Sequence, residues 1–277
     1  MLRTKNKLTV LDDDNSSFSD YSVEALDFDR DTFTITLDSS TSYLYVGFEK
    51  PINTFYCELG TANTNAGVFT GEFYNGSTWA TLSGLYDETA SLTRSGFIQW
   101  DRNQTDEAAT SVNSVEKFWY RFSPSVTHSA TVIKGLNLIF ADDTDLKREF
   151  FEVSDFLPSG ETSFILTHVA TRDHIIQVLR NSGRYKKDLG GTKKDITVFD
   201  ILDLGQIKLA ATYLALSKIF SNVQDTETDM YRQKSIDYYS LYSMAEKNGF
   251  LTLDTDDDGI TDDSERLVRR DVRIIRR

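Results

Sequence analysis

Hydrophobic and polar residues alternate strictly in Thr32-Phe-Thr-Ile-Thr-Leu37, placing Phe33, Ile35 and Leu37 on one face. That two-residue period is the mark of a half-buried β-strand. Strand-like runs follow at Tyr43–Phe48, Thr54–Leu59, Gly67–Tyr74, Ser77–Leu82, Gly96–Trp100, Lys117–Phe122 and Ile133–Phe140. Asn75-Gly76 between two aromatic runs is a hairpin signal, because both residues tolerate the backbone of a tight turn. Many short strands separated by turn residues predict an antiparallel β-sandwich over residues 1–150.

The period changes after a charged stretch at 141–149 and the break Pro158-Ser-Gly160. Asp173 is placed to cap a helix over His174–Arg180, stopped at Ser182-Gly183. Arg184–Lys194 reads as a polar loop with a double glycine. Thr197-Val-Phe-Asp200 has the form of a capping box with Asp in place of Glu, opening a helix to Phe220. Within it Leu204, Ile207, Ala211 and Leu214 form one stripe, and Leu209, Tyr213, Leu216 and Phe220 a neighbouring one. Apolar surface that wide predicts packing on more than one side. A further helix, beginning at Asp225–Asp229 and ending near Asn248, carries Tyr231, Tyr238, Tyr239, Leu241, Tyr242 and Met244. The expected class is therefore α+β and multidomain: a β-sandwich at 1–150, an α-helical assembly domain at 160–250, and a loop and tail at 254–277.

The loop Asp254–Glu265 changes the picture most. Calcium takes hard oxygen ligands from positions 1, 3, 5, 7, 9 and 12 of a twelve-residue loop, with glycine at 6. Those positions hold Asp254, Asp256, Asp258, Ile260 (through its carbonyl), Asp262 and Glu265, with Gly259 at the turn. The preceding Phe250–Leu253 looks extended, so the loop reads as a structural Ca2+ elbow rather than half of a paired helix–loop–helix sensor. The tail that follows carries Arg266, Arg269, Arg270, Arg273, Arg276 and Arg277 against the single Asp271. Val272, Ile274 and Ile275 among them favour an extended strand that docks on an acidic surface of a neighbouring subunit or partner, with contact between the arginines and packaged DNA as the second option.

The 277 residues carry a formal charge of −13, which repels nucleic acid and anionic membranes as a whole. No run reaches the roughly 18 apolar residues of a membrane span, and the start of the chain lacks a signal-peptide apolar region. Cys57 is the only cysteine, so no intrachain disulfide forms; its setting beside Phe55, Tyr56 and Leu59 predicts a core position. No GxSxG, Walker or GxGxxG pattern is present, and the expectation is a non-enzyme. Trp79, Trp100, Trp119, Tyr74 and Tyr120 could stack on sugars, although packing within a sheet is the commoner use of strand aromatics.

Two stretches resemble virion proteins of tailed bacteriophages. The Ala/Leu-rich run Ile207–Phe220, the acidic break Ser221–Asp229, the tyrosine-rich run Met230–Tyr242, and then the Asp loop and basic tail follow an order that resembles the helical head-to-tail connector (adaptor) proteins. Residues 43–140, with Tyr45–Pro51, Asn75–Trp79 and Gly96–Asp101, resemble the β-sandwich of neck or decoration proteins. The resemblance implies a homo-oligomeric ring, twelvefold to match a portal, in a virion assembled in the host cytoplasm. It also implies portal, tail or neck proteins as partners, genomic DNA passing through the centre without sequence-specific binding, and a tail at Arg266–Arg277 that inserts into the portal. A tail or baseplate component, or a host-adhesion protein with a carbohydrate-binding sandwich, is the alternative.

Overall fold

A computed structural model describes residues 8–14, 16–26, 32–39, 41–101, 106–181, 186–187, 193–201, 205–223, 230–248, 251–253 and 266–267. The chain divides into two compact units, Met1–Leu138 and Ile139–Arg277.

The first unit is built from antiparallel strands: β1 (Thr9–Asp14), β2 (Ser17–Asp20), β3 (Phe33–Ile35), β4 (Ser42–Phe48), β5 (Thr54–Thr61), β6 (Phe69–Tyr74), β7 (Trp79–Thr81), β8 (Tyr86–Asp87), β9 (Gly96–Gln99), β10 (Ala109–Val112), β11 (Val115–Pro124) and β12 (Thr131–Asn137). A short helix, α1 (Ser22–Leu26), lies between β2 and β3. A seven-stranded sheet runs β2-β1-β4-β11-β6-β7, with β10 also paired to β11, and a five-stranded sheet runs β3-β12-β5-β9-β8. Their inner faces meet through aromatic rings. Phe55 of β5 packs edge-on against Phe122 of β11 at 5.5 Å, and Trp100 lies 4.7 Å from Tyr120. The Tyr120 hydroxyl accepts from the Ile52 amide at 3.0 Å and donates to Glu107 at 2.7 Å, so this buried ring carries no stranded polar group.

The alternating residues Phe33, Ile35 and Leu37 are buried, and Cys57 is a fully buried thiol. Burial, followed by the charges of Glu58 and Asp87, pushes that thiol well above its usual range. The Asn75-Gly76 hairpin is wider than a two-residue turn. Tyr74 pairs with Trp79, so four residues form the loop, and the Asn75 side chain accepts from the amides of Ser77 and Thr78. Gly76 sits at φ +91°, which a side chain would strain.

The second unit contains α2 (Asp143–Glu149), a 3₁₀ turn Phe151–Phe156, α3 (Ile165–Asn181), the strand pair β13 (Lys186–Lys187) and β14 (Lys193–Lys194), a 3₁₀ turn Val198–Asp200, α4 (Gly205–Val223), α5 (Met230–Asn248), and the strand pair β15 (Leu251–Thr252) and β16 (Arg266–Leu267). Helix α4 packs on α5, α3 and α2, as its wide apolar surface requires. Phe220 is its hub, fully buried among Phe150, Phe156, Tyr231 and Tyr238 at 5.2–6.1 Å.

Three expectations need correction here. Helix α3 begins at Ile165, so Asp173 is an interior residue, where it accepts from Arg172 at 2.8 Å, and not a cap. The Thr197–Asp200 box does form, with the Asp200 carboxylate accepting from the Thr197 amide and hydroxyl at 2.7 Å each. It closes a single 3₁₀ turn, however, and the long helix starts only at Gly205. Leu209 of the second predicted stripe is 53% exposed.

Candidate functional site

The two sheet faces follow from the strand register. On the seven-stranded sheet, residues facing the other layer are packing residues: Leu44, Val46 and Phe48 on β4, and Tyr120 and Phe122 on β11. The opposite face of an antiparallel sheet is normally polar. Here it carries a continuous row of paired residues across six strands: Asp20, Leu11, Tyr45, Arg121, Glu72 and Thr81.

Arg121 is the centre of that row. Its Nε donates to Glu72 at 2.7 Å, and its Nη1 donates to the Tyr45 hydroxyl at 3.4 Å. The guanidinium carbon also lies 4.3 Å from the ring centre of Tyr43 and 4.4 Å from that of Trp79. A guanidinium between two rings gains cation–π attraction on both faces, and a planar fork suits such a slot better than an ammonium. Burial works against the Arg121 charge, but the bonds to Tyr45 and Glu72 more than offset it and hold its pKa above the usual value.

Tyr45 organises the rings. Phe18, Tyr43, Trp79 and Trp119 surround it at 5.6–6.2 Å, in edge-on and tilted contacts. Trp119 is buried because it lies flat over Gly47, where an added Cβ would stand 2.7 Å from the indole. Its Nε1 donates to the Val115 carbonyl at 3.1 Å. Tyr74 completes the group at 5.8 Å from Trp79. Tyr43, Tyr74 and Trp79 remain partly exposed, as do the side chains of Arg121 (17%) and Glu72 (24%).

Of the aromatics singled out from sequence, Trp100 and Tyr120 are core residues between the layers and Trp119 is buried in the outer face. Trp79 and Tyr74 alone keep the partial exposure a stacking role needs. Arg121, Glu72, Tyr43 and Tyr45 were not singled out. The available signal was the alternation Lys117, Trp119, Arg121 along one face of β11.

The predicted calcium ligands Asp254, Asp256, Asp258, Ile260, Asp262 and Glu265 lie outside the described residues, as do Arg269, Arg270, Arg273, Arg276 and Arg277. Arg266 is described through its backbone, in the β15–β16 pair, where it stands opposite Thr252. Among the described residues no group of three or more His, Cys, Asp or Glu converges on a metal position, and no helix is long and apolar enough to cross a membrane.

A second polar cluster centres on the buried residues Thr89, Ser91 and His128. Ala90, Ser91 and Leu92 all take positive φ (50–60°), a costly conformation held by Asp87, which accepts from the Thr89 and Ser91 amides at 2.8 and 2.7 Å. Ser91 Oγ meets His128 Nε2 at 2.8 Å, and burial, opposed by Asp87, pulls the His128 pKa down to about 4. Both side chains are closed off from solvent and His128 Nδ1 has no partner among the described residues, so nothing orients the imidazole as a base toward a substrate.

No family model and no curated protein matches the chain. Solved structures similar to parts of it include chitosan-binding module 1 of a chitosanase/glucanase from Paenibacillus sp. IK-5, at 11% identity and TM-score 0.24, covering 39% of this chain and 76% of that one. A family 89 glycoside hydrolase from Clostridium perfringens, in complex with 2-acetamido-1,2-dideoxynojirmycin, gives 10% identity and TM-score 0.26 over 63% of this chain and 20% of that one. Scores this low carry no functional argument.

Proposed function

We propose that this chain is a structural protein of a tailed-phage virion, a head-to-tail adaptor or neck subunit that forms a ring between portal and tail around the DNA path. The observation that carries the reading is the apolar surface its helical unit leaves open. Met230, Leu241 and Met244 are 60%, 37% and 55% exposed, and their spacing of three turns plus one puts them on one line of α5. Ile236 and Tyr239 on other faces of α5, and Leu209 on α4, are exposed as well. Apolar area of this kind favours burial between copies.

The Asp254–Glu265 loop and the arginine tail belong to the same proposal. Leu251 pairs with Leu267 and Thr252 with Arg266, so the chain entering the loop and the chain leaving it run side by side. The buried Leu253 bridges to Ile201, tying that pair to the 3₁₀ turn before α4. A calcium ion held by Asp254, Asp256, Asp258, the Ile260 carbonyl, Asp262 and Glu265 would supply charge neutralisation and stiffness where the tail departs.

The test is the mass of the purified full chain, alone and with a portal protein, by light scattering and native mass spectrometry. A closed ring, or co-assembly with the portal, that is lost in Leu241→Asp/Met244→Asp supports the reading. A monomer at about 100 μM that ignores the portal sinks it, since that exceeds the Kd range of stable assemblies. Chelating calcium is expected to weaken portal docking while leaving the sheet unit folded.

A further inference from the structure

We propose that the outer face of the seven-stranded sheet around Arg121 is a binding site for a neutral oligosaccharide. The proposal is independent of the assembly reading, because it rests on the first unit alone.

The occupant follows from the chemistry of the row. Arg121 and Glu72 form an internally neutral couple at 2.7 Å, so an anionic ligand meets no uncompensated positive charge. Lys117, on the same face, is likewise paired, to Glu49. A chain of net charge −13 adds a repulsive field against a polyanion. What the couple does offer is a donor beside an acceptor. Arg121 Nη2 has no hydrogen-bond partner among the described residues, and Glu72 sits next to it across the strand pair. That arrangement matches adjacent hydroxyl groups, each of which both donates and accepts.

The ring system supplies the other half of sugar recognition. Trp79, Tyr43 and Tyr74 are partly exposed and are fixed by neighbours rather than free to rotate. Fixed aromatic surface binds the C–H face of a pyranose with little loss of side-chain freedom. From Tyr45 to Thr81 the row crosses three strand spacings, ~14 Å in all, which suits a short oligomer better than a single ring.

The full chain should be titrated with neutral hexose oligomers (cellohexaose, maltohexaose and a mannan hexamer) and with an acidic oligogalacturonide, followed by tryptophan fluorescence and calorimetry. At least one neutral oligomer is expected to saturate with a Kd between ~10 μM and ~1 mM. Glu72→Gln and Arg121→Lys, which keep the size or charge of the couple, are expected to weaken it about tenfold or more, and Trp79→Ala to abolish it, as loss of a central aromatic contact does. Phe151→Ser, at an 88% exposed position of the other unit, should change nothing. The proposal is overturned if no neutral oligomer saturates by about 10 mM, if the acidic oligomer binds more tightly than the neutral ones, or if binding survives both Glu72→Gln and Trp79→Ala. Thermal melting of each variant separates loss of the site from loss of the fold.

Discussion

Tyr45 and Phe220 occupy the same kind of position in different units. Each is ringed by aromatic residues: Phe18, Tyr43, Trp79 and Trp119 around Tyr45, and Phe150, Phe156, Tyr231 and Tyr238 around Phe220. Each cluster also holds a cation against its rings, Arg121 in one and Lys234 in the other. The difference lies in the polar groups. Tyr45 presents a hydroxyl to Arg121, which in turn holds Glu72, so its cluster ends in a donor–acceptor couple at the surface. Phe220 has no polar atom, and its neighbours Leu146, Val153, Leu216 and Ile219 are buried apolar residues. An aromatic hub is thus a packing device by default, and becomes a recognition surface only where its polar handles reach a solvent-facing edge.

The largest effect separating the two is expected from truncation. Phe220→Ala removes the ring on which α2, α4 and α5 converge, and should cost about 3–5 kcal/mol, read as a drop in denaturation midpoint. If the loss is below about 1 kcal/mol, the helical unit is held elsewhere and the hub comparison fails. In the sheet unit the corresponding weak point is not a ring but the space beneath one. Gly47→Ala would put a methyl 2.7 Å from the Trp119 indole, so the ring must lift from the sheet at a cost of about 1–3 kcal/mol. Its indole fluorescence should shift with it.

The next effect is a pH response, and both groups behind it, Asp12 and His128, lie in the sheet unit. Asp12 of β1 is raised to about 6 by burial first, and then by Asp14 and Asp13. A carboxyl with a raised folded pKa favours folding below its unfolded value of 3.8 and loses that contribution as pH climbs through 6. His128, lowered to about 4, works in the opposite sense: its contribution is complete above 6.5 and is lost as pH falls toward 4. Between pH 4 and 6 the two therefore oppose each other. Asp12→Asn removes one arm. Its stability gain over the parent should grow from near zero at pH 4 to about 1–2 kcal/mol at pH 7, after allowance for partial solvation. A pH-independent difference would show that the Asp12 charge is not the cause.

Much of the α+β layout was legible in the sequence because one face of most strands is apolar and the other is not; Phe33, Ile35 and Leu37 are the clearest case. β1 was not, because Asp12-Asp13-Asp14 conceals the alternation even though Asp13 is buried. The first turns of α3 were hidden for a related reason. His168, Thr171 and Arg172 face inward, and His168 is satisfied by Asp143 at 3.0 Å rather than by apolar neighbours. Buried polar residues break the hydrophobic period while obeying the helix period. The site around Arg121 was the least legible. Its partners Glu72 and Tyr45 lie 49 and 76 residues away, and only the register of β4, β11 and β6 brings them opposite one another.

The smallest effect is the most direct test of the comparison, because Tyr45→Phe turns one hub into the chemical equivalent of the other. The ring and its four aromatic neighbours stay, and only the hydroxyl that accepts from Arg121 Nη1 is removed. At 3.4 Å that bond is long, so the stability change should stay within about 0.5–1 kcal/mol. The consequence belongs on Arg121. With one of its two hydrogen-bonded anchors gone, the guanidinium is held only by Glu72 and by the rings of Tyr43 and Trp79, and its side-chain NH resonances should broaden or shift while the backbone spectrum elsewhere is unchanged. If Arg121 stays as ordered as in the parent, the ring sandwich and Glu72 suffice to position it, and the Tyr45 hydroxyl is a packing detail like the Phe220 ring.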